Sequence, residues 1–162
     1  MNPRPVRESQ SMISEVMTPR DANLYGNVFG GAIMAMADRV AFVAAARHAG
    51  PPCVTVAVDS ISFIAPIHIG DLVTMQASVN YVGRTSMEVG VKVTAENLDT
   101  GEIRHTNSCY FVYVAIDRDG HPREVPRLML ETEDEKRRCH QAELRRELRR
   151  RFREETEKVK HE

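Results

Sequence analysis

From Gly31 to Ala49 the chain is apolar almost without interruption, and only Asp38, Arg39, Arg47 and His48 carry charged or strongly polar side chains. A helix that is apolar on every face is normally buried on every face. One this short, with charges in its middle, does not span a bilayer. The pattern therefore predicts a wrapped helix over about 30–48, stopped firmly by Pro51-Pro52. Downstream the period changes. The β-branched run Val54-Thr-Val-Ala-Val-Asp59-Ser-Ile-Ser-Phe-Ile64 predicts a long strand closed by Ala65-Pro66, and residues 72–82 and 103–116 predict two more. Between those two, Met87, Val89, Val91, Val93 and Ala95 alternate with Glu88, Gly90, Lys92, Thr94 and Glu96, a strand with one dry and one wet face. The turns at Gly83-Arg84-Thr85-Ser86 and Asn97–Gly101 are too short for crossover helices, so the strands are antiparallel. With a short strand over residues 9–17, ended by Thr18-Pro19, the prediction is a curved antiparallel sheet wrapped around one helix, an α+β architecture.

Composition refines this picture at the C-terminal end. The 162 residues have a net charge of -1, which gives no global pull toward nucleic acid or acidic lipid. Residues 131–162 nevertheless hold 11 basic and 10 acidic side chains. They predict a charged helical extension beside a main domain over residues 1–130. Glu147/Arg151, Arg150/Glu154 and Arg151/Glu155 are spaced as i,i+4 ion pairs, and Leu144, Leu148 and Phe152 form a thin apolar stripe. Docking by that stripe is the simple expectation, and an arginine-rich surface for anionic ligands the sharper one. Interleaved acids argue against nucleic acid. Three cysteines without CxxC spacing argue against a disulfide framework or a zinc site, and no hydrophobic signal segment opens the chain; both fit a cytoplasmic protein without membrane insertion.

Candidate chemistry is concentrated at the start of the long helix. The chain lacks GxSxG, P-loop, HExxH and GxGxxG patterns, and its six histidines have no metal-ligand spacing, so neither metal nor cofactor is expected. Gly30 and Gly31 open the helix behind the turn-rich loop Asp21-Ala-Asn23-Leu-Tyr-Gly26-Asn27. Their amides lie at the positive end of the helix dipole and suit a developing oxyanion. Tight packing of the loop on the sheet would equally explain the two glycines. Asp38 follows Gly30 by about 12 Å along the axis at 1.5 Å per residue. It cannot serve a carbonyl bound at the start of its own helix, but in a two-fold dimer with antiparallel helices it faces the partner's glycines. The alternative is a structural pair with Arg39. Asn23 and Asn27 are candidates for substrate or water contacts as well as turn formers. Thr55 and Asp59, on the strand after the helix, are weaker candidates.

Pro19-x-Asp21-x-Asn23-x-x-Gly26-x-x-Phe29-Gly30-Gly31, then Asp38, then Val54-Thr-Val-Ala-Val-Asp59-Ser-Ile-Ser-Phe63-x-x-Pro66-Ile-x-x-Gly70-Asp71, resembles the hotdog-fold acyl-CoA thioesterases of the YciA and brain-type acyl-CoA hydrolase group. Val82-Gly83-Arg84-Thr85-Ser86 and Phe111-Val-Tyr-Val-Ala-Ile-Asp117 continue the likeness, which covers about residues 9–128. The resemblance implies a hotdog fold, homodimers assembled into hexamers as trimers of dimers, and hydrolysis of acyl-CoA to free acid and CoA. Coenzyme A would be part of the substrate and not a cofactor. It implies that Asp38 is the catalytic carboxylate, as general base or as nucleophile, that the Gly30 and Gly31 amides polarise the thioester carbonyl, and that Asn23 takes part. It further implies that Gly83, Arg84, Thr85 and Ser86 contact CoA, with Arg127 near the nucleotide. The segment beyond about Leu130 lies outside the resemblance. A hydratase would need a histidine between Asn23 and Asp38, where there is none. A non-catalytic acyl-CoA-binding module is the remaining alternative.

Overall fold

The computed structural model describes residues 1–159. In chain order the elements are β1 (Arg4–Pro5), β2 (Ser11–Val16), α1 (Gly30–Ala49), β3 (Cys53–Val58), β4 (Leu72–Val82), β5 (Ser86–Glu96), β6 (Ile103–Ala115), β7 (Leu128–Met129) and α2 (Glu133–Val159). Alternation along the three long strands builds one apolar wall, because successive side chains point to opposite faces. Val73, Met75, Ala77 and Val79 of β4, Met87, Val89, Val91 and Val93 of β5, and Cys109, Phe111, Tyr113 and Ala115 of β6 are all buried on that wall. The five-stranded sheet runs in the order β2-β4-β5-β6-β3, antiparallel throughout. It curls around α1, whose Ile33, Met36, Ala37, Val40, Ala41, Ala44 and Ala45 recur at helical spacing and fill the core. This is the expected α+β hotdog architecture. The two short strands β1 and β7 pair in parallel as a separate small sheet.

Three expectations are corrected by this arrangement. The sheet covers one side of α1 only: Met34, Phe42 and Val43 are 39–41% exposed in the single chain, as are Val54, Val56 and Val58 on the neighbouring edge strand β3 at 40–55%. An apolar helix is wrapped here by half, and the other half lies open. The strand expected over 54–64 ends at Val58. Beyond it the backbone keeps only isolated bonds to β6, Asp59 N–H to Tyr110 O at 3.0 Å and Ile64 N–H to Thr106 O at 3.0 Å. Finally, α2 does not dock by its apolar stripe. Leu144, Leu148 and Phe152 are 52%, 64% and 76% exposed, whereas Ala142 is fully buried and Arg145 and Arg149 turn toward the sheet. The helix therefore lies across the supposedly wet face of β5 and buries Glu88. Of the three expected i,i+4 pairs, Arg151 joins Glu147 at 2.9 Å and Arg150 joins Glu154 at 3.6 Å, while Glu155 takes Lys158 instead of Arg151. Among the described residues no helix is long and apolar enough to cross a membrane.

Candidate active site

Asp38 sits at the middle of α1, on the border between its covered and open faces. Its Oδ1 accepts a hydrogen bond from Thr55 Oγ1 at 2.8 Å, and the Tyr113 hydroxyl lies 2.7 Å from the same oxygen and 2.8 Å from the Asp38 carbonyl. Among the described residues Asp38 makes no ion pair with Arg39, and its partners are Thr55 and Tyr113 instead. Thr55 on β3 is directly opposite Tyr113 on β6. Immediately after that pair the register slips, with Val56 as the extra residue. Such a bulge re-aims side chains at a strand edge. The Tyr113 side chain is buried, and burial, ahead of its contacts with Asp38, pushes its hydroxyl above the usual phenol range. It therefore stays protonated and remains a donor. Two neutral donors hold Oδ1, and Oδ2 is left without a partner among the described residues. A carboxylate fixed through one oxygen and free at the other can accept a proton or attack.

At the start of α1, Phe29 provides no side-chain cap and the first turn holds no acid. The amides of Gly30 and Gly31 have no acceptor among the described residues. They are orphan donors at the positive end of a twenty-residue helix. A β-carbon at Gly31 would run into the ring of Phe29, so glycine here lets that ring lie against the helix start. Asn23 serves the loop: its Oδ1 accepts from Tyr25 N–H at 2.8 Å and Asn27 N–H at 3.2 Å, an Asx turn. Asn27 Oδ1 meets His68 Nδ1 at 3.1 Å. Within one chain neither asparagine bonds to Asp38.

The remaining candidates separate into two places. Gly83 and Arg84 share a cleft of about 550 Å³ with Arg127, so two arginines distant in the chain meet at one opening. The backbone of the turn fixes it: Gly83 N–H donates to Ser86 O at 2.8 Å, Ala115 N–H to Thr85 O at 3.0 Å, and Val125 N–H to Arg84 O at 3.1 Å. Asp59 lies just past β3 and not on it, and it is taken by Arg149 of α2 at 2.5 Å. It joins the outer salt-bridge network and makes no bond to the Asp38 cluster. Asp117, Asp119 and His121 gather at an exposed turn, where Asp117 Oδ1 accepts from the amides of Asp119 and His121. Tyr113 was missed in the sequence. Its signal was a hydroxyl-bearing ring on the inward register of a strand, since a buried tyrosine needs a partner for its hydroxyl.

Residues 25–102 match the family described as the thioesterase superfamily. The chain is 40% identical over 129 residues to the uncharacterized acyl-CoA thioester hydrolase YkhA of Bacillus subtilis, covering 80% of this chain and 75% of that one. It is similar to the crystal structure of an acyl-CoA hydrolase from Bacillus cereus, with a TM-score of 0.92 and 36% identity over 98% of this chain and 96% of that chain. It is likewise similar to an acyl-CoA hydrolase from Staphylococcus aureus in complex with butyryl coenzyme A, coenzyme A and coenzyme A disulfide, with a TM-score of 0.88 and 33% identity over 96% of this chain and 95% of that chain. That hydrolase has also been solved as alanine variants of one asparagine, one aspartate and one threonine, whose spacing along its chain equals that of Asn23, Asp38 and Thr55 here. Two further neighbours are described as hexameric thioesterases. With the curled sheet, the half-wrapped helix and this likeness along most of its length, the chain belongs to the hotdog thioesterase superfamily.

Proposed function

We propose that the protein hydrolyses acyl-CoA thioesters to a carboxylic acid and CoA, at sites formed across a two-fold dimer interface. The observation that carries this reading is the Asp38 carboxylate, anchored through Oδ1 by Thr55 and Tyr113 with Oδ2 free, on the rim of an open apolar face. The orphan amides of Gly30 and Gly31 lie roughly 12 Å away along the same helix at 1.5 Å per residue, too far to share a substrate carbonyl with Asp38 of that chain. Antiparallel pairing of two α1 helices on their open faces brings one chain's Asp38 to the partner's helix start. It also covers Met34, Phe42 and Val43, which a single chain leaves in water. Hexameric relatives support an oligomer, with trimers of such dimers as the arrangement.

In this scheme the thioester carbonyl points at the Gly30 and Gly31 amides, which stabilise the oxyanion as it forms. Asp38 removes a proton from water as the water attacks the carbonyl carbon. The tetrahedral intermediate collapses with release of the CoA thiolate, and the acid and the thiol leave. Direct attack by Asp38 would instead give an acyl-aspartyl anhydride that water then opens. Asn23 presents the one polar group of its side chain not used by the loop, its amide N–H₂, toward substrate or water. Arg84 and Arg127 would hold phosphates at the nucleotide end, where paired guanidinium forks suit oxyanions.

The test is thiol release from acyl-CoAs of increasing chain length, with Asp38→Ala beside the wild type. A drop of about 10²-fold or more is the scale of losing a positioned base. Binding of acyl-CoA without thiol release would make the protein an acyl-CoA-binding module. In a single turnover in ¹⁸O water, label in the Asp38 carboxylate requires the anhydride opened at the aspartyl carbon and overturns the route by water attack alone.

A further inference from the structure

A second cleft opens on the opposite side of the sheet, between its outer face and the first turns of α2. It has a volume of about 730 Å³, within the range of small-molecule sites. Its floor has an unusual construction. The register of β4 against β5 slips between Val79 and Tyr81, so Asn80 is the extra residue of a bulge. The bulge lays the Asn80 side chain over Gly90, where any β-carbon would run into its amide. Ser78 is the residue directly opposite Gly90. Asn80 is 5% exposed and Ser78 8% exposed, both line the cleft, and neither side chain has a hydrogen-bond partner among the described residues. Glycine inside a strand marks a close approach. The sheet has made room for an amide that has no protein partner among the described residues and is open to the cleft.

The walls are cationic. Arg47, Lys92, Arg137 and Arg138 line the cleft against a single carboxylate, Asp134. That one acid is shared by Arg137 at 2.6 Å and Arg138 at 3.2 Å. Arg47 donates only to neutral oxygens, of Gln10 and Ser11. Lys92 has no carboxylate partner among the described residues. These cations come from α1, β5 and α2, so they surround the opening and do not run along one solvated helix face.

We propose that this outer cleft binds a small phosphorylated molecule, its phosphoryl oxygens held by Lys92, Arg137 and Arg138 and an adjoining polar group by the Asn80 amide. The site is separate from the Asp38 cluster and from the Arg84–Arg127 opening, so it stands whether or not the acyl-CoA reading holds. Inorganic pyrophosphate is the probe, titrated calorimetrically into the full chain in its native assembly. Saturable binding is expected, weakened about tenfold or more in Lys92→Gln and Arg138→Gln, the scale of one charged hydrogen bond. Asn80→Leu weakens the affinity for a phosphorylated ligand bearing a hydroxyl or amide more than that for pyrophosphate. Binding persists in Arg84→Gln and in the presence of saturating CoA. Lys92 is exposed and Arg138 half-buried, and unchanged thermal melts show that each variant is folded. No saturation at millimolar pyrophosphate, unchanged affinity in Lys92→Gln and Arg138→Gln, displacement by CoA, or equal affinity for citrate would each overturn the assignment.

Discussion

At the scale of single residues, the Asp38 carboxylate is held by two hydroxyl neighbours, Thr55 and Tyr113. A hydrogen bond to a charged group contributes about 1.5–3 kcal/mol. Tyr113→Phe and Thr55→Val are therefore expected to lower kcat by about tenfold each, with a smaller change in KM, because each loosens a carboxylate that must be aimed. Steady-state kinetics on both variants checks this, and an unchanged kcat in both would end the positioning role. His48 presents a different case. Its Nε2 bonds to the Pro126 carbonyl at 2.9 Å, while Nδ1 is buried without a partner. Burial, the largest cause, lowers its pKa below the ordinary value of 6.5 despite the bond to Pro126. The folded state thus favours the neutral ring, and the unfolded chain binds the proton more readily. The stability that this group contributes is complete above about pH 6.5 and is lost as the pH falls through the lowered folded value. Thermal melts of the wild type should weaken from pH 7 toward pH 5 by an amount that His48→Gln removes. Asp38 as the candidate for the chemistry was legible in the sequence as a lone acid in an apolar helix. Tyr113 was not, because only strand pairing puts it opposite Thr55.

At the scale of elements, α2 is held to the sheet by buried charge. Glu88 is 2% exposed, with Arg145 2.7 Å away and Arg149 3.5 Å away, and Arg149 also reaches Asp59. The Arg145 guanidinium stacks 3.6 Å over the Tyr110 ring. Removing one partner of a buried pair strands the other, at a cost of about 3–5 kcal/mol. Arg145→Met is expected to destabilise the fold on this scale. Glu88→Met in the same chain should restore most of the loss, since apolar replacements of both partners are tolerated. Denaturant unfolding of the two singles and the double measures it. Leu148→Ser, on the exposed stripe, should change the stability of an isolated chain by no more than about 0.5 kcal/mol. The alternation of β5 was plain in the sequence, but the identity of the layer over its polar face was not. A basic helix with a weak apolar stripe offers two possible docking faces, and the buried carboxylate of Glu88 selected the basic one.

At the scale of the whole molecule, the open half of α1 and the edge strand β3 form one apolar surface carrying Met34, Phe42, Val43, Val54 and Val56. The edge of β3 has no neighbour in the sheet order, and an unpaired edge beside apolar residues invites a second copy. A charge at the centre of such a patch opposes association. Phe42→Glu is expected to give monomers in light scattering and to abolish thiol release while leaving the Asp38 cluster within each chain intact. A monomer with full activity would place the complete site within one chain.

The sequence by itself determined the elements that short-range physics controls. Alternation set the inward face of β4, β5 and β6, glycine and proline set the turns, and an apolar run with one acid marked the central helix and its candidate carboxylate. The tertiary structure decided what depends on residues distant in the chain. It chose Thr55 and Tyr113 as the partners of Asp38, joined Arg84 to Arg127, tied Asp59 to α2, and left half of α1 uncovered. The reason is physical: periodicity reports which side of an element is buried, while the identity of what buries it is fixed only when strands pair and layers pack.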